Sequence, residues 1–204
     1  VEKAIVAGSV RRRKESIGDI DILAASSKPE KVMDRFLGLP FIAHVYAHGK
    51  TKTAVKLKNG LDADLRVVSK ESFGAALNYF TGSKDHNVAL REIAIKKGMK
   101  LNEYGLFRGR KRIAGKTEKG IYEALGMDYI EPEMREMTGE IASAQEHRLP
   151  KLVGYADLRG DLQVQSSWTD GANSISEMAE TAFAAGLEYI AITDHTKRLA
   201  MTGG

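Results

Sequence analysis

Apolar and polar residues alternate from Asp19 to Ala24, which predicts a strand with Ile20 and Ile22 on one face and the carboxylates of Asp19 and Asp21 on the other. A short apolar run from Ala4 to Ala7 predicts a strand before it, ending at Gly8-Ser9, and the basic stretch Val10 to Glu15 fits one or two helical turns. Pro29 stands where a helix can start, because the first helical turn needs no backbone N–H at that position, and Val32, Met33, Phe36 and Leu37 then share one helix face. Two further strand-like runs, Lys52 to Lys58 and Leu61 to Val68, flank Asn59-Gly60, a pair that tolerates positive φ and so predicts a tight hairpin. Together these elements describe a small mixed α and β domain.

The period then lengthens. Phe73 to Phe80 and Lys84 to Lys97 read as helices, the second capped by Ser83 and stopped by Gly98. Strand patterning returns at Leu101 to Phe107 and Lys111 to Ala114, on either side of Arg108-Gly109-Arg110. Thr117 can cap a short helix reaching Leu125 before Gly126, and the acidic stretch from Pro132 to Pro150 reads as a connector. Near Leu158 a new unit begins. It has a strand into Asp161, a helix from Ser176 to Ala185 with Ser174 and Glu177 as a capping box, and a strand from Tyr189 to Thr193, the opening of an α/β domain.

Composition narrows the function classes. Of 204 residues, 43% are hydrophobic, enough for a packed core, and the apolar runs are too short to span a bilayer. The expected location is the cytoplasm, near the nucleoid. With no cysteine, disulfides and thiolate metal sites are excluded, so a metal must rest on oxygen or imidazole. The net charge of +4 is unevenly spread. Between Lys84 and Lys119, 11 Lys and Arg stand against 4 Asp and Glu, so this stretch exceeds the charge of the whole chain, whereas Gly120 to Leu149 is acidic. A local basic block fits a phosphate backbone as partner. The chain opens without Met on a strand-like run and closes on Gly203-Gly204, which reads as an interior piece of a longer protein.

Asp19 and Asp21, two residues apart on a strand, place like charges side by side, an arrangement that a bridging divalent cation relieves. Asp62 and Asp64 on the hairpin repeat the spacing, so three or four acids can converge. Paired metal ions on such ligands can activate an attacking hydroxyl and stabilise the leaving oxygen of a phosphoryl displacement. Upstream, the Gly8-Ser9 turn can cradle phosphates with its backbone N–H groups, the Ser9 hydroxyl and a guanidinium from Arg11 or Arg12. Taken singly, Gly-Ser and Asp-x-Asp are equally the marks of a capped helix or a polar strand edge. Their succession is more specific.

Gly8-Ser9-x-Arg11-Arg12, then Gly18-Asp19-x-Asp21, then Asp64-Leu65-Arg66, then Tyr79-Phe80-Thr81-Gly82-Ser83 with Asn87, Arg91 and Asn102-Glu103-Tyr104, resembles the family X DNA polymerases of the nucleotidyltransferase superfamily. That resemblance implies an α+β palm with a mixed sheet over 1–70, a small α+β thumb over 71–137 and a linker over 138–157. It implies that Asp19 and Asp21 bridge two Mg²⁺ or Mn²⁺ ions and that Asp64, rather than Asp62, binds the catalytic one. Gly8, Ser9, Arg12 and Gly18 would hold the triphosphate. Tyr79, Phe80 and Gly82 would lie against the sugar, Asn87 at the minor-groove edge of the base and Arg91 on the template strand, with Arg66 exchanging Asp21 for Glu103. The implied partners are a dNTP and gapped or primed DNA, the implied activity is template-directed DNA synthesis in base excision repair, and the protein is expected to be a monomer without membrane contact.

Residues 158–204 are similar to the start of a PHP domain, a metal-dependent phosphoesterase barrel. Asp170 and His195 are its candidate ligands here. Gln163 and Gln165 stand where that family has histidines, and an amide oxygen is a poor substitute for imidazole, so phosphoesterase or 3′ exonuclease activity is not expected. Two rival readings share part of the pattern. A non-templated nucleotidyltransferase has the Gly-Ser and Asp pair but not the Tyr-Phe-Thr-Gly-Ser turn, and a catalytically idle module would bind gapped DNA without incorporating nucleotide.

Overall fold

The computed structural model describes residues 1–202, so Gly203 and Gly204, at the expected end of the second domain, lie outside it. The chain divides between Leu149 and Pro150 into two units. Among the described residues, no helix is long and apolar enough to cross a membrane.

The first unit starts with a five-stranded sheet made of β1 (Lys3–Val6), β2 (Asp19–Ala25), β3 (Ile42–His48), β4 (Lys52–Leu57) and β5 (Asp62–Val68). Their order across the sheet is β1-β2-β5-β4-β3, and only the β2–β5 pair is parallel. The hairpin at Asn59-Gly60 forms as its sequence predicts. Gly60 takes φ +90°, and the Asn59 side chain accepts a hydrogen bond from the Leu61 N–H at 3.1 Å. The sequence reading named no strand at Ile42–His48. This is an edge strand, exposed along nearly its whole length, so no buried face imposes a legible alternation on it.

Alternation along β2 and β5 divides the sheet into two unlike faces. Ile20, Ile22, Ala24, Ala63, Leu65 and Val67 point to one side, where α2 (Pro29–Leu37) covers them with Met33 and Phe36. On the other side Leu23, Ala25 and Val68 pack beneath α3 (Phe73–Thr81), and the acidic ends of both strands project beyond that cover. Between β1 and β2 the chain makes one short helix, α1 (Gly8–Arg11), which starts at the glycine rather than at Val10.

The rest of the first unit is built on α4 (Lys84–Lys96), β6 (Lys100–Asn102), β7 (Gly105–Arg108), β8 (Lys111–Ala114) and α5 (Glu118–Ala124). Ser83 and Thr117 cap their helices by accepting from the N–H of His86 and Gly120. The run Leu101 to Phe107, expected as one strand, is bent into two because the Asn102 side chain accepts from the N–H of both Tyr104 and Gly105 and closes a turn. Leu90, Ile93, Leu106, Ile121, Leu125 and Ile130 form the core of this half.

Residues 132–149, expected as a connector, are folded into that same core. Pro132–Met134 makes a single 3₁₀ turn and α6 (Glu140–Gln145) buries Ala144. What their composition concealed is a buried polar network. Arg135 is fully buried, donating through Nη1 to Glu118 at 2.7 Å and through Nε and Nη2 to the Ile130 carbonyl. Glu118 also takes two bonds from Arg11, at 2.9 and 2.6 Å. Burial alone would raise the Glu118 pKa, but the bonds from Arg11 and the charges of Arg135 and Arg11 outweigh it and leave it lowered. His86 lies between Glu140 (2.8 Å) and the Tyr122 hydroxyl (2.9 Å), and burial lowers its pKa despite the neighbouring carboxylate.

The second unit contains β9 (Gly160–Val164), α7 (Ile175–Ala184) and β10 (Tyr189–Ile192), with β9 and β10 parallel and α7 started by the expected Ser174/Glu177 capping box.

The network makes a stability prediction. Glu118→Ala strands two guanidiniums, one of them fully buried, and is expected to cost about 3 to 5 kcal/mol in urea denaturation, against less than about 0.5 kcal/mol for Lys119→Ala, whose ion pair with Glu123 is exposed. Equal losses in the two variants would remove the network from the stability of this unit.

Candidate active site

The parallel pairing of β2 with β5 sets Asp19 opposite Asp62 and Asp21 opposite Asp64, so four carboxylates rise from one face at the uncovered end of the sheet. They are not equivalent. Asp62 accepts from the Tyr46 hydroxyl at 3.1 Å and pairs with Lys56 at 3.5 Å, both on the β3–β4 side. Asp64 pairs with Lys52 at 3.0 Å, and Asp19 is exposed. Among the described residues, no three acidic or histidine side chains are drawn together as a finished metal cage. Asp21 registers the crowding. Its pKa is raised, first by burial and then by the charges of Asp19 and Asp64, against the pull of Arg66 and Lys52. A set of crowded carboxylates repelling one another fits a divalent cation, which favours oxygen ligands and relieves that repulsion.

The turn after β1 approaches Asp21 from above. The Ala7 N–H donates to the Asp21 carbonyl at 2.7 Å, and Gly8 has φ +58° with its Cα facing the Asp21 carboxylate so closely that a Cβ would collide with Oδ2. Glycine is required there for both reasons. The structure also separates the two candidate guanidiniums. Arg11 turns inward to Glu118 and to the Thr81 hydroxyl (2.6 Å), while Arg12 lies along an open cleft of about 400 Å³.

Gly8, Ser9, Arg12, Asp19 and Asp21 line one wall of that cleft, and Tyr79, Phe80, Gly82, Asn87 and Arg91 the other. Gly82 ends α3 with φ +73°, letting the chain turn sharply into α4. Tyr79 and Phe80 meet edge to face at 5.1 Å, and the Asn87 amide donates to the Tyr79 carbonyl at 2.7 Å, tying α4 to the turn. Gly18, immediately before β2, is exposed and lines neither wall. Arg66 and Glu103 belong to an adjoining cleft of about 450 Å³ that shares Phe80 with the first, and the Arg66 guanidinium stacks on the Phe80 ring at 4.4 Å.

Sequence reasoning missed Lys52, Tyr46 and Glu136, which hold Asp64, Asp62 and Arg12. Only the β4–β5 hairpin register, which puts Lys52 across from Arg66 and Lys56 across from Asp62, offered a signal for the lysines. In the second unit His195 and Asp170 lie 3.6 Å apart, while Asp194 accepts from the N–H and hydroxyl of Ser166. The Gln165 amide donates to Thr193, so it serves as a strand-end tie.

Comparison with known proteins agrees with this arrangement. The family model of the DNA polymerase beta thumb matches residues 76–136. The DNA polymerase/3′-5′ exonuclease PolX of Bacillus subtilis is 38% identical over 97% of this chain, and the chain spans about a third (35%) of that protein's length. The repair DNA polymerase X of African swine fever virus is 32% identical over 146 residues, 66% of this chain and 83% of the viral protein. Among solved structures, Leishmania infantum polymerase beta in a ternary P/T complex superposes with a TM-score of 0.57 at 28% identity, covering 66% of this chain and 67% of that one. A chain with two acid-bearing strands in register beneath a Gly-Ser turn, followed by a thumb of this kind, is of the nucleotidyltransferase type. It belongs to the family X DNA polymerases.

The raised pKa of Asp21 gives a signed test. Because the folded value lies above the unfolded one, ionised Asp21 costs stability once pH has risen through that window and costs none below the ordinary carboxylate range. Asp21→Asn is therefore expected to raise the melting temperature at neutral pH and to leave it unchanged in strong acid. Mg²⁺ at ten times its dissociation constant should stabilise the wild type by about 1.4 kcal/mol, roughly 3 to 6 °C, and the variant far less. Equal Mg²⁺ shifts in both proteins would detach Asp21 from metal binding.

Proposed function

We propose that this chain carries the nucleotide-transfer site of a template-directed DNA polymerase that fills gaps during repair, adding a dNTP to a primer 3′ hydroxyl. The observation that carries this reading is the register of β2 against β5, which puts Asp21 beside Asp64 under the phosphate-binding turn and across a cleft from the Tyr79–Ser83 turn. Asp19, Asp21 and Asp64 would hold a pair of Mg²⁺ or Mn²⁺ ions, which would lower the pKa of the attacking hydroxyl and neutralise the leaving pyrophosphate. Gly8, Ser9 and Arg12 receive the triphosphate, Arg12 as the charged donor, whereas Gly18, expected with them, lies outside the cleft they line. Tyr79, Phe80 and Gly82 face the sugar, Asn87 the base edge and Arg91 the template strand.

Arg66, stacked on Phe80 in the adjoining cleft, passes from Asp21 to Glu103 as the thumb closes. The basic residues from Lys84 to Lys119 supply phosphate contacts to gapped or primed duplex, and the protein works as a monomer on DNA in the cytoplasm. Residues 1–70 form the palm and 71–137 the thumb, residues 138–149 pack on the thumb's core, and a PHP domain starts at 158. Asp170 and His195 are the candidate metal ligands of that domain, and Gln163 and Gln165 replace imidazoles with weaker amide ligands.

Primer extension on a gapped duplex with Mg²⁺ or Mn²⁺ tests the reading. Asp64→Ala is expected to lower kcat by about 100-fold or more, since the loss falls on charge that develops in the transition state, while Asp62→Ala stays within about 3-fold. Undiminished incorporation by Asp64→Ala sinks the site, and incorporation that ignores the template base points to a non-templated transferase instead.

A further inference from the structure

Arg12 has a partner outside the cleft. Its Nε donates to Glu136 Oε1 at 2.8 Å and its Nη1 donates to the Thr81 carbonyl at 2.5 Å. A guanidinium has five N–H donors in a rigid fork, so two fixed bonds set its plane and leave three donors for the cleft that Arg12 lines. Glu136 itself is not among the residues lining that cleft. Its own position is secured. It follows the fully buried Arg135, its N–H donates to the Met134 carbonyl at 2.9 Å, and the Arg135 carbonyl beside it accepts from Ser83, the residue after Gly82, at 3.2 Å. One stretch of backbone thus holds the phosphate turn through a side chain and the Tyr79–Ser83 turn through the main chain. Lys14, 3.8 Å from the same carboxylate oxygen, offsets its charge.

We infer that Glu136 is a positioning residue for the nucleotide, holding Arg12 in the plane in which its remaining donors meet the polyphosphate. The inference rests on the polymerase reading above and adds to it a residue from the segment beyond the thumb's 3₁₀ turn. Arginine loses side-chain freedom when it binds an anion, and a carboxylate that fixes it beforehand moves that loss out of the binding step. The effect belongs to nucleotide binding and leaves the bond-making step untouched.

Steady-state single-nucleotide insertion into a gapped duplex separates these terms. Glu136→Ala is expected to raise KM for the dNTP by about 10-fold, with kcat within about 3-fold and DNA affinity unchanged. The inhibition constant of tripolyphosphate should rise in parallel. Glu136→Gln keeps an oxygen to accept from Arg12 Nε and should restore KM to within about 3-fold of wild type. The inference is overturned if Glu136→Ala leaves KM and tripolyphosphate inhibition unchanged or tightens them, if it lowers kcat, DNA affinity and melting temperature together, or if Glu136→Gln behaves like alanine. Absence of insertion by the wild type would sink the polymerase reading itself, whereas normal wild-type insertion with an unchanged Glu136→Ala variant sinks only the positioning role.

Discussion

Glu118 accepts from Arg11, on the turn over the acidic strands, and from Arg135, at the end of the segment behind the thumb core, and the first unit depends on this three-membered ion network. Burying a lone charge is prohibitive, so the two cations and the anion are stable only as a set, and the set joins parts of the chain more than a hundred residues apart. The Thr81 hydroxyl, which also accepts from Arg11, extends the linkage to the end of α3. The two walls of the cleft are consequently fixed by the same charges. Hydrophobic packing on either side would let them slide, since apolar contact is not directional.

At the site itself the sequence departs from what stability alone would select. Four carboxylates share the open end of two strands, a glycine in a left-handed conformation is pressed against one of them, and Asp21 carries a raised pKa as the cost. Structures tolerate local conflicts of this sort where function needs them, and here the conflict coincides with the cleft. The surrounding cations are sorted by depth. Arg11 is used inside, Arg12 is held at the rim by Glu136, and Lys52 and Lys56 temper Asp64 and Asp62 from the neighbouring strand.

Local signals were legible wherever a local hydrogen bond or period produced them. Pro29 starts α2, Asn59-Gly60 turns the β4–β5 hairpin, Ser83, Thr117 and Ser174 cap their helices, and the alternation from Asp19 to Ala24 put Asp19 and Asp21 on one face, because each depends only on residues a few positions apart. The edge strand β3 escaped because only Ile42 at its start packs against the core, and residues 132–149 escaped because their buried Arg135 and Glu140 look solvated until their partners are known. What tertiary structure alone decided was pairing at a distance. The parallel contact of β2 with β5 put Asp64 beside Asp21, and the thumb's Glu118 and Glu136 sorted two adjacent arginines into a buried tie and a cleft donor. Neither follows from spacing, since both depend on which distant segments come together, and periodicity carries no record of that.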